Sequence, residues 1–330
     1  MLFCVALLNA GRAMNTVIDR VDHHAIEVYP YGRRLRLLAL AVLAGICIAG
    51  FWNARVVDGF GSDIVANTAI GGAAGKARQF STLGAGFGFV FAMVAGLAAT
   101  FTACNCVAFA MIPGLACGRD AQASRAAALR SLGIMVFFVM LVGAIYGTFV
   151  GWLGPVGAQA FNSREIRFAQ AGVVFSVLGT AMLVWGAAEL GLLGWWTRRC
   201  SPTTRAFFAQ QTTKAAIMGL MVGCFAVGRP YPVFREFLLY AAQMDRPSYG
   251  AAVMALQGLG QITVMVTVFL IILSVFGERL GRWVSSKPHQ PALVSALALA
   301  GGGAYFLFYW GIARVFPELG RWGYTLGWYS

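Results

Sequence analysis

Long apolar blocks alternate with short polar segments along this chain. A helix needs about 20 apolar residues to cross the hydrocarbon core of a bilayer, and the blocks approach or exceed that length. They comprise residues 35–52, 83–117, 132–153, 171–196, 215–242, 249–276 and 292–316. The pattern predicts an all-α polytopic membrane protein with about seven transmembrane helices, and no polar segment is long enough to predict a soluble domain.

A motif occurs twice within the last six apolar blocks. In the second block Cys106 precedes Pro113, and in the fifth block Cys224 precedes Pro230 and Pro232. Two further blocks follow each motif, so the six blocks divide into two units of three. Because three is an odd number of crossings, the second unit is expected to be inverted relative to the first. Inverted-repeat transporters have this arrangement, and their sites lie near the midplane at broken helices.

The blocks and the segments between them predict the organisation of the chain. One extra N-terminal helix precedes the two inverted three-helix repeats. The predicted parts are a cytoplasmic tail (1–34), the extra transmembrane helix (35–52), an extracytoplasmic loop (53–82), the first repeat (83–196), a cytoplasmic loop (197–214), the second repeat (215–316) and a C-terminal tail (317–330). The apolar N-terminus lacks a leading basic residue, so we expect no signal peptide and a translation start at Met1 or Met14.

Charge placement adds an orientation to these helices. The chain is 59% hydrophobic and 11% charged, with a formal net charge of +13. Its basic residues lie in short loops between apolar blocks, where they set the orientation of the helices in a lipid bilayer. This placement argues against nucleic acid as a partner. The more basic side comprises Arg33, Arg34, Arg36, Arg119, Arg125, Arg130, Arg198, Arg199, Arg205, Lys214, Arg279, Arg282 and Lys287. We therefore expect a bacterial plasma membrane, a cytoplasmic N-terminus and an extracytoplasmic C-terminus.

Seven cysteines, an odd number, argue against a secreted disulfide framework. Cys104 and Cys106 are two residues apart, so on a regular helix they point to roughly opposite faces and are not expected to share a metal ion. Cys106 is the candidate for function because Cys224 occupies the matching place in the other repeat. Three cysteines are interpreted as small packing residues: Cys4, Cys47 and Cys200.

Several polar residues lie inside apolar blocks, where they are costly unless they are paired or functional. Arg229 lies at the second break, where its guanidinium would favour a nearby thiolate. Gln257 and Gln261 share a helix face, so they either line a polar cavity or bond to a neighbouring helix. The other charges in these blocks are Glu189, Arg235 and Glu236. A stripe of small residues that predicts close helix contact comprises Gly143, Gly147 and Gly151.

Together these features resemble the cytochrome c biogenesis transmembrane family, the CcdA/DsbD-type thiol–disulfide electron transporters, in a divergent form. The resemblance covers roughly residues 83–316. It rests on the two Cys–Pro motifs and on the segments Ala-Gly-Val-Val-Phe-Ser-Val-Leu-Gly (171–179), Phe-Ala-Val-Gly-Arg-Pro-Tyr-Pro (225–232) and Gln-Gly-Leu-Gly (257–260). It implies six core helices in two inverted triplets, each led by a proline-broken helix with one cysteine.

The resemblance implies electron transfer across the membrane by an oxidoreductase without a bound cofactor. A cytoplasmic thioredoxin-like protein would reduce a Cys106–Cys224 disulfide, and the dithiol would reduce an extracytoplasmic thiol protein, as in cytochrome c maturation. Thioredoxin-like proteins on both sides of the membrane are then the expected partners. Two alternatives stay open. One is a small-solute or heavy-metal transporter, in which Cys104, Cys106, Cys117 and Cys224 would pass on a soft cation. The other is a non-catalytic membrane subunit.

Overall fold

The computed structural model of the chain describes residues 29–53, 56, 59–73, 75–101, 121–197, 199, 201–286, 289–320 and 322–327. The structure is 88% helical, and its described part contains no strand. We number the longer helices α1 Tyr31–Gly50, α2 Phe80–Ala99, α3 Ala121–Phe161, α4 Arg164–Glu189, α5 Pro202–Ala209, α6 Gln211–Gly228, α7 Pro232–Ala242, α8 Pro247–Ser286 and α9 His289–Phe306. A π-helical segment, Leu307–Ile312, continues α9, and another, Phe60–Ala66, lies between α1 and α2.

Five helical stretches in the described part are long and apolar enough to cross a membrane. They are Lys76–Ala99, Ala126–Phe161, Arg164–Glu189, Pro247–Val275 and His289–Val315. α6 and α7 are together long and apolar enough to form a sixth candidate, with a bend of 86° between them. α1 is long enough, but Arg33, Arg34 and Arg36 near its start shorten its apolar part. The described part of the protein is therefore all-helical and compatible with a polytopic membrane protein, with five or six candidates for the seven predicted spans.

Small residues bring α3 and α8 into close contact. A Cβ atom at Gly147 would overlap the carbonyl oxygen of Gly250, and one at Gly143 would lie 2.5 Å from the carbonyl oxygen of Met254. Gly151 faces the backbone at Arg246 in the same way. The predicted glycine stripe is confirmed as a helix–helix contact. Because residue numbers rise on α3 as they fall on α8, the two helices are antiparallel.

α4 and α9 form a second antiparallel pair with small residues at the contact. Gly179 packs on Gly303, and Gly186 packs on the backbone at Ala296. Such contacts let backbones approach closely, so that dispersion forces act along the whole pair. α3 and α8 are the second helices of the two predicted repeats, and α4 and α9 are the third helices. Each antiparallel pair therefore joins corresponding helices of the two repeats.

α2 runs parallel to α8 on the other side of the α3–α8 contact. Gly88 of α2 lies against the Tyr249 side chain at the start of α8, and Gly96 lies against the backbone at Gln257, farther along. The residue numbers rise together on the two helices. The leading helix of the first predicted repeat is thus packed on the second helix of the other repeat.

α6 is packed on α3 in a corresponding way. Gly219 of α6 lies against Met135, and Gly223 lies against the side chain of Val142. The numbers again rise together, so α6 and α3 are parallel. The leading helix of the second predicted repeat therefore contacts the second helix of the first.

The N-terminal helix α1 is packed along α9. The rings of Tyr29 and His289 lie 6.1 Å apart at the start of both helices, and those of Trp52 and Tyr305 lie 5.3 Å apart near their other ends. α1 and α9 are therefore parallel. In the described part of the chain, α1 contacts the bundle chiefly through α9 and its π-helical continuation, which makes it a peripheral helix.

Candidate functional site

The chain is broken between α6 and α7. α6 ends at Gly228, the backbone from Arg229 to Tyr231 is extended, and α7 begins at Pro232. Pro230 has no N–H to donate to the end of α6, and Pro232 starts the next helix, where a missing N–H costs nothing. The break therefore lies at the two prolines that the sequence analysis singled out, and it leaves the last carbonyls of α6 without helical partners.

Arg167, on the first turn of α4, binds these carbonyls. Its side chain is fully buried and donates hydrogen bonds to the carbonyl oxygens of Val227 (3.1 Å) and Arg229 (2.8 Å). The same guanidinium donates to Tyr146 Oη (2.7 Å) and Gln170 Oε1 (2.6 Å). A cation is also favoured here because the C-terminal end of a helix carries partial negative charge. Arg167 of α4 thus stabilises the bend between α6 and α7 by binding the free carbonyls at the end of α6.

A second arginine joins α7 to the turn between α3 and α4. Arg235 Nη2 donates to the backbone oxygen of Asn162 (3.0 Å), and Asn162 Nδ2 donates to the backbone oxygen of Arg235 (3.1 Å). Phe234 precedes Arg235, and its ring centroid lies 5.4 Å from the Arg167 guanidinium carbon. The ring of Phe234 on α7 therefore lies against the Arg167 guanidinium of α4, and the next residue of α7 is Arg235.

The depth of the bend is measured from an ion pair at the opposite end of α4. Lys214 Nζ lies 2.8 Å from Glu189 Oε1, and Trp185 Nε1 donates to the same oxygen (3.0 Å). Both charged side chains are partly exposed, as expected near a membrane boundary. Along α6, Cys224 follows Lys214 by 10 residues, about 15 Å, and Arg229 follows it by 15 residues, about 22 Å. With this ion pair taken as one boundary of a hydrocarbon core of about 30 Å, Cys224 would lie near mid-depth and the bend in the half away from Glu189.

The end of α2 meets the bend between α6 and α7. Gly61, in the π-helical segment between α1 and α2, is buried between the carbonyl oxygen of Ala98 and the hydroxyl of Tyr231, and a Cβ atom there would overlap both. Thr100, just beyond α2, donates from Oγ1 to the carbonyl oxygen of Gln261 (2.9 Å). The described end of α2 therefore packs on α8 and lies, through Gly61, next to the Tyr231 side chain of the bend.

Gln257 and Gln261 lie on this part of α8 and are 1% and 2% exposed. Within the described residues, neither the oxygen nor the nitrogen of the Gln257 amide has a hydrogen-bond partner. Burying an unpaired amide is costly, so such a group indicates a water molecule or a polar ligand. Both interpretations of Gln257, a polar cavity and a bond to a neighbouring helix, stay open.

Of the two cysteines of the predicted redox site, Cys224 is among the described residues and Cys106 lies outside them. Cys224 is half-buried on α6, and Cys47 is exposed on α1; neither forms a disulfide with a described cysteine. α6 continues for four residues beyond Cys224, whereas α2 ends at Ala99, seven residues before Cys106. The other residues of the prediction that fall outside the described residues are Cys104, Cys117 and Pro113. No group of three metal-binding side chains occurs within the described part of the chain.

Arg167 is the residue that the sequence analysis missed. It precedes the fourth apolar block, which begins at residue 171, so hydropathy assigns it to a loop. In the structure α4 begins at Arg164, so Arg167 lies inside the helix. Its spacing contains a usable signal, because it begins the stripe of buried positions that continues with Ala171, Phe175 and Gly179.

Comparison with known proteins adds nothing to this geometry. The sequence matches no protein-family model, and no curated protein and no solved structure matches it. The resemblance to thiol–disulfide electron transporters therefore rests on the residues quoted for it, and the function has to be argued from the site itself.

Proposed function

We propose that this protein is a membrane carrier built from two inverted three-helix units, which moves a small polar solute past the point where its two leading helices end. The observation that supports it is the reciprocity of the helix contacts. α2 is parallel to α8 and α6 is parallel to α3, while α3 with α8 and α4 with α9 are antiparallel. Exchanging the two units converts the α2–α8 contact into the α6–α3 contact and leaves the α3–α8 and α4–α9 contacts unchanged. A pseudo-two-fold axis in the membrane plane requires this correspondence.

The second support is the polar lining where the leading helices end. Carriers of this architecture bind solute where helices are discontinuous, because the freed backbone groups and nearby side chains supply hydrogen bonds there. Here Gly61 lies between Ala98 at the end of α2 and the hydroxyl of Tyr231 at the bend. Thr100, just beyond α2, bonds to Gln261 on α8, one turn from the buried amide of Gln257. In this proposal α1 is the seventh span, and the side bearing Glu189 and Lys214 faces the cytoplasm.

Cys224 provides the test because it lies near mid-depth on the broken span. We expect that Cys224, kept as the sole cysteine, reacts with a membrane-impermeant methanethiosulfonate added to either side of oriented vesicles. A carrier alternately opens its centre to both sides, whereas a static helix exposes a given residue to one side at most. The measurement is the labelling rate in right-side-out and inside-out vesicles. The matched control is Thr203→Cys in a cysteine-free background, since Thr203 is exposed on α5 and should react from the cytoplasmic side alone.

Three results separate the candidate functions. Labelling of Cys224 from both sides supports the carrier. Labelling from one side only contradicts it, and so does the absence of labelling from both sides when the Thr203→Cys control reacts. That last result would favour a non-catalytic membrane subunit.

Thiol–disulfide electron transfer is a second candidate, favoured by one observation. Cys224 is half-buried, lies near mid-depth next to a helix break, and forms no disulfide with a described cysteine, so its thiol is placed for exchange within the membrane. In this candidate the Cys106–Cys224 disulfide takes up two electrons and two protons from a thioredoxin-like dithiol and passes them to an extracytoplasmic disulfide. Flow outward is downhill, because thioredoxin is the stronger reductant.

Thiol trapping tests this second candidate. In oxidised membranes we expect a Cys106–Cys224 disulfide that reduction opens, because exchange needs both sulfurs within bonding distance. Cys106→Ser should abolish the disulfide, and Cys104→Ser, the matched control two residues away, should leave it intact. The measurement is the mobility of the protein after alkylation with a maleimide-coupled polymer. Free thiols at both positions under oxidising conditions would contradict electron transfer.

A further inference from the structure

We propose that Arg167 and Arg235 bind a small anion at the α6–α7 bend. The ligand class is a carboxylate or phosphate group, held between α4, α7 and the turn at Asn162. This inference deepens the carrier proposal and rests on it, because it names the chemical class of the solute.

Neither guanidinium has a counter-charge in the described part of the chain. The four acceptors of Arg167 are a phenol, an amide and two backbone carbonyls, all neutral. Arg235 donates to a backbone carbonyl at Asn162. Glu236 follows Arg235 directly, so on a helix it faces another direction. The ion pair found within the described residues joins Lys214 to Glu189 and involves neither arginine. Two neighbouring positive charges inside a membrane protein without a carboxylate are costly, and such charges usually mark a binding site or ion pathway.

Both arginines and Asn162 also have unused hydrogen-bond groups. The Nε–H groups of Arg167 and Arg235 are buried and have no acceptor among the described residues. Arg167 is fully buried, so the missing bond is not supplied by bulk water. The Oδ1 atom of Asn162, which is 4% exposed, is also unpaired in the described part of the chain. Two charged donors and one acceptor on neighbouring elements are therefore buried without partners among the described residues.

An anion satisfies these groups best. Guanidinium groups bind carboxylates and phosphates through planar, charge-assisted hydrogen bonds, which are stronger than bonds to neutral acceptors. The unpaired Asn162 oxygen can accept from a hydroxyl of the same ligand. Arg167 is one turn from the start of α4, so the site lies near the membrane boundary opposite Glu189. An anion can reach it there as a free solute or as the headgroup of a lipid.

Ligand-dependent stability of the purified protein tests the site. Wild-type protein in phosphatidylcholine nanodiscs is titrated with sodium succinate or sodium phosphate, and sodium chloride keeps the ionic strength constant. We expect a saturable rise in the apparent melting temperature, because a ligand that binds only the folded state stabilises it. Arg235→Gln should weaken the apparent affinity at least tenfold. Arg164→Gln, a matched control on the same turn of α4 with an exposed side chain, should leave it unchanged.

Two further experiments identify the source of the anion and provide a variant in case Arg235→Gln does not fold. If a headgroup is the ligand, phosphatidylglycerol nanodiscs should stabilise the wild type but not Arg235→Gln, and succinate should add nothing. If Arg235→Gln does not fold, Arg235→Lys is the deciding variant, because it keeps the charge and loses the planar guanidinium. We expect Arg235→Lys to bind the anion more weakly. Unchanged affinity would overturn the proposal. Equal affinity in Arg235→Gln and wild type, or no stabilisation beyond that of chloride in either lipid, also overturns it.

The outcome is distinguishable from that of the carrier test. Anion binding in a protein whose Cys224 is labelled from one side only would keep the anion site and remove the carrier. Labelling of Cys224 from both sides without any anion effect would keep the carrier and remove the anion site.

Discussion

Arg167→Leu is expected to prevent the protein from folding stably, even though leucine is the more favourable residue in a membrane. The guanidinium closes four hydrogen bonds, two of them to the carbonyls that the bend leaves at the end of α6. Each buried acceptor that loses its partner costs about 1–3 kcal/mol. Two carbonyls, Tyr146 and Gln170 lose their partner together, so the loss approaches the whole stability of an ordinary protein, about 5–15 kcal/mol.

The measurement is the fraction of monodisperse protein after detergent extraction and graded heating. Arg164→Leu is the matched control, because Arg164 is exposed and lies on the same turn of α4. Arg167→Lys should be intermediate, since one ammonium keeps the charge but cannot reach all four acceptors at once. Equal stability of Arg167→Leu and Arg164→Leu would contradict the structural role given to Arg167.

Much of the fold follows from the sequence because a bilayer imposes a length on its helices. The blocks predicted at residues 132–153 and 171–196 correspond to α3, Ala121–Phe161, and α4, Arg164–Glu189. Hydropathy misses the first turns of α3 and α4 and the last turns of α3, and it extends the fourth block past the end of α4 at Glu189. The same limitation explains Arg167, which lies before the apolar block of α4 but on its buried face.

The count of spans was less predictable for a related reason. The sequence predicts a seventh span at residues 35–52, and the structure has a helix there, Tyr31–Gly50, shifted toward the basic residues. Three arginines near its start reduce its apolar length. A helix of this kind crosses the bilayer if the long arginine side chains extend to the headgroups. Composition alone does not distinguish that arrangement from a shallower one.

Contacts between distant residues could not be read from local patterns. Gly84 has φ +71° and breaks the helical geometry of α2, which frees carbonyl oxygens near it. The hydroxyls of Tyr240 and Tyr249 donate to the oxygens of Gly84 (2.7 Å) and Ala85 (2.8 Å), across more than 150 residues of sequence. The kink is thus compensated by side chains on α7 and α8. Sequence reasoning found the proline break because proline acts locally, and missed this one because its partners are remote.

Gly147→Ala is expected to separate α3 from α8 and to destabilise the protein by about 3 kcal/mol, the upper part of the range for overpacking. Alanine is otherwise the better helix former, by about 1 kcal/mol. At Gly147, however, the new methyl group would lie 2.6 Å from the carbonyl carbon of Gly250 and 2.7 Å from the Cβ of Met254. A backbone group cannot rotate away, so the whole helix has to move.

Gly133→Ala is the matched control, because it lies on the same helix and its new methyl group would meet nothing within 4 Å. We expect Gly133→Ala to retain or slightly raise the apparent melting temperature in detergent, while Gly147→Ala lowers it. Since α3 and α8 are the second helices of the two proposed units, Gly147→Ala should also slow labelling of Cys224 from at least one side. A variant that melts like Gly133→Ala would show that the two helices do not touch at Gly147. The reciprocal packing on which the carrier proposal rests would then lose its central contact.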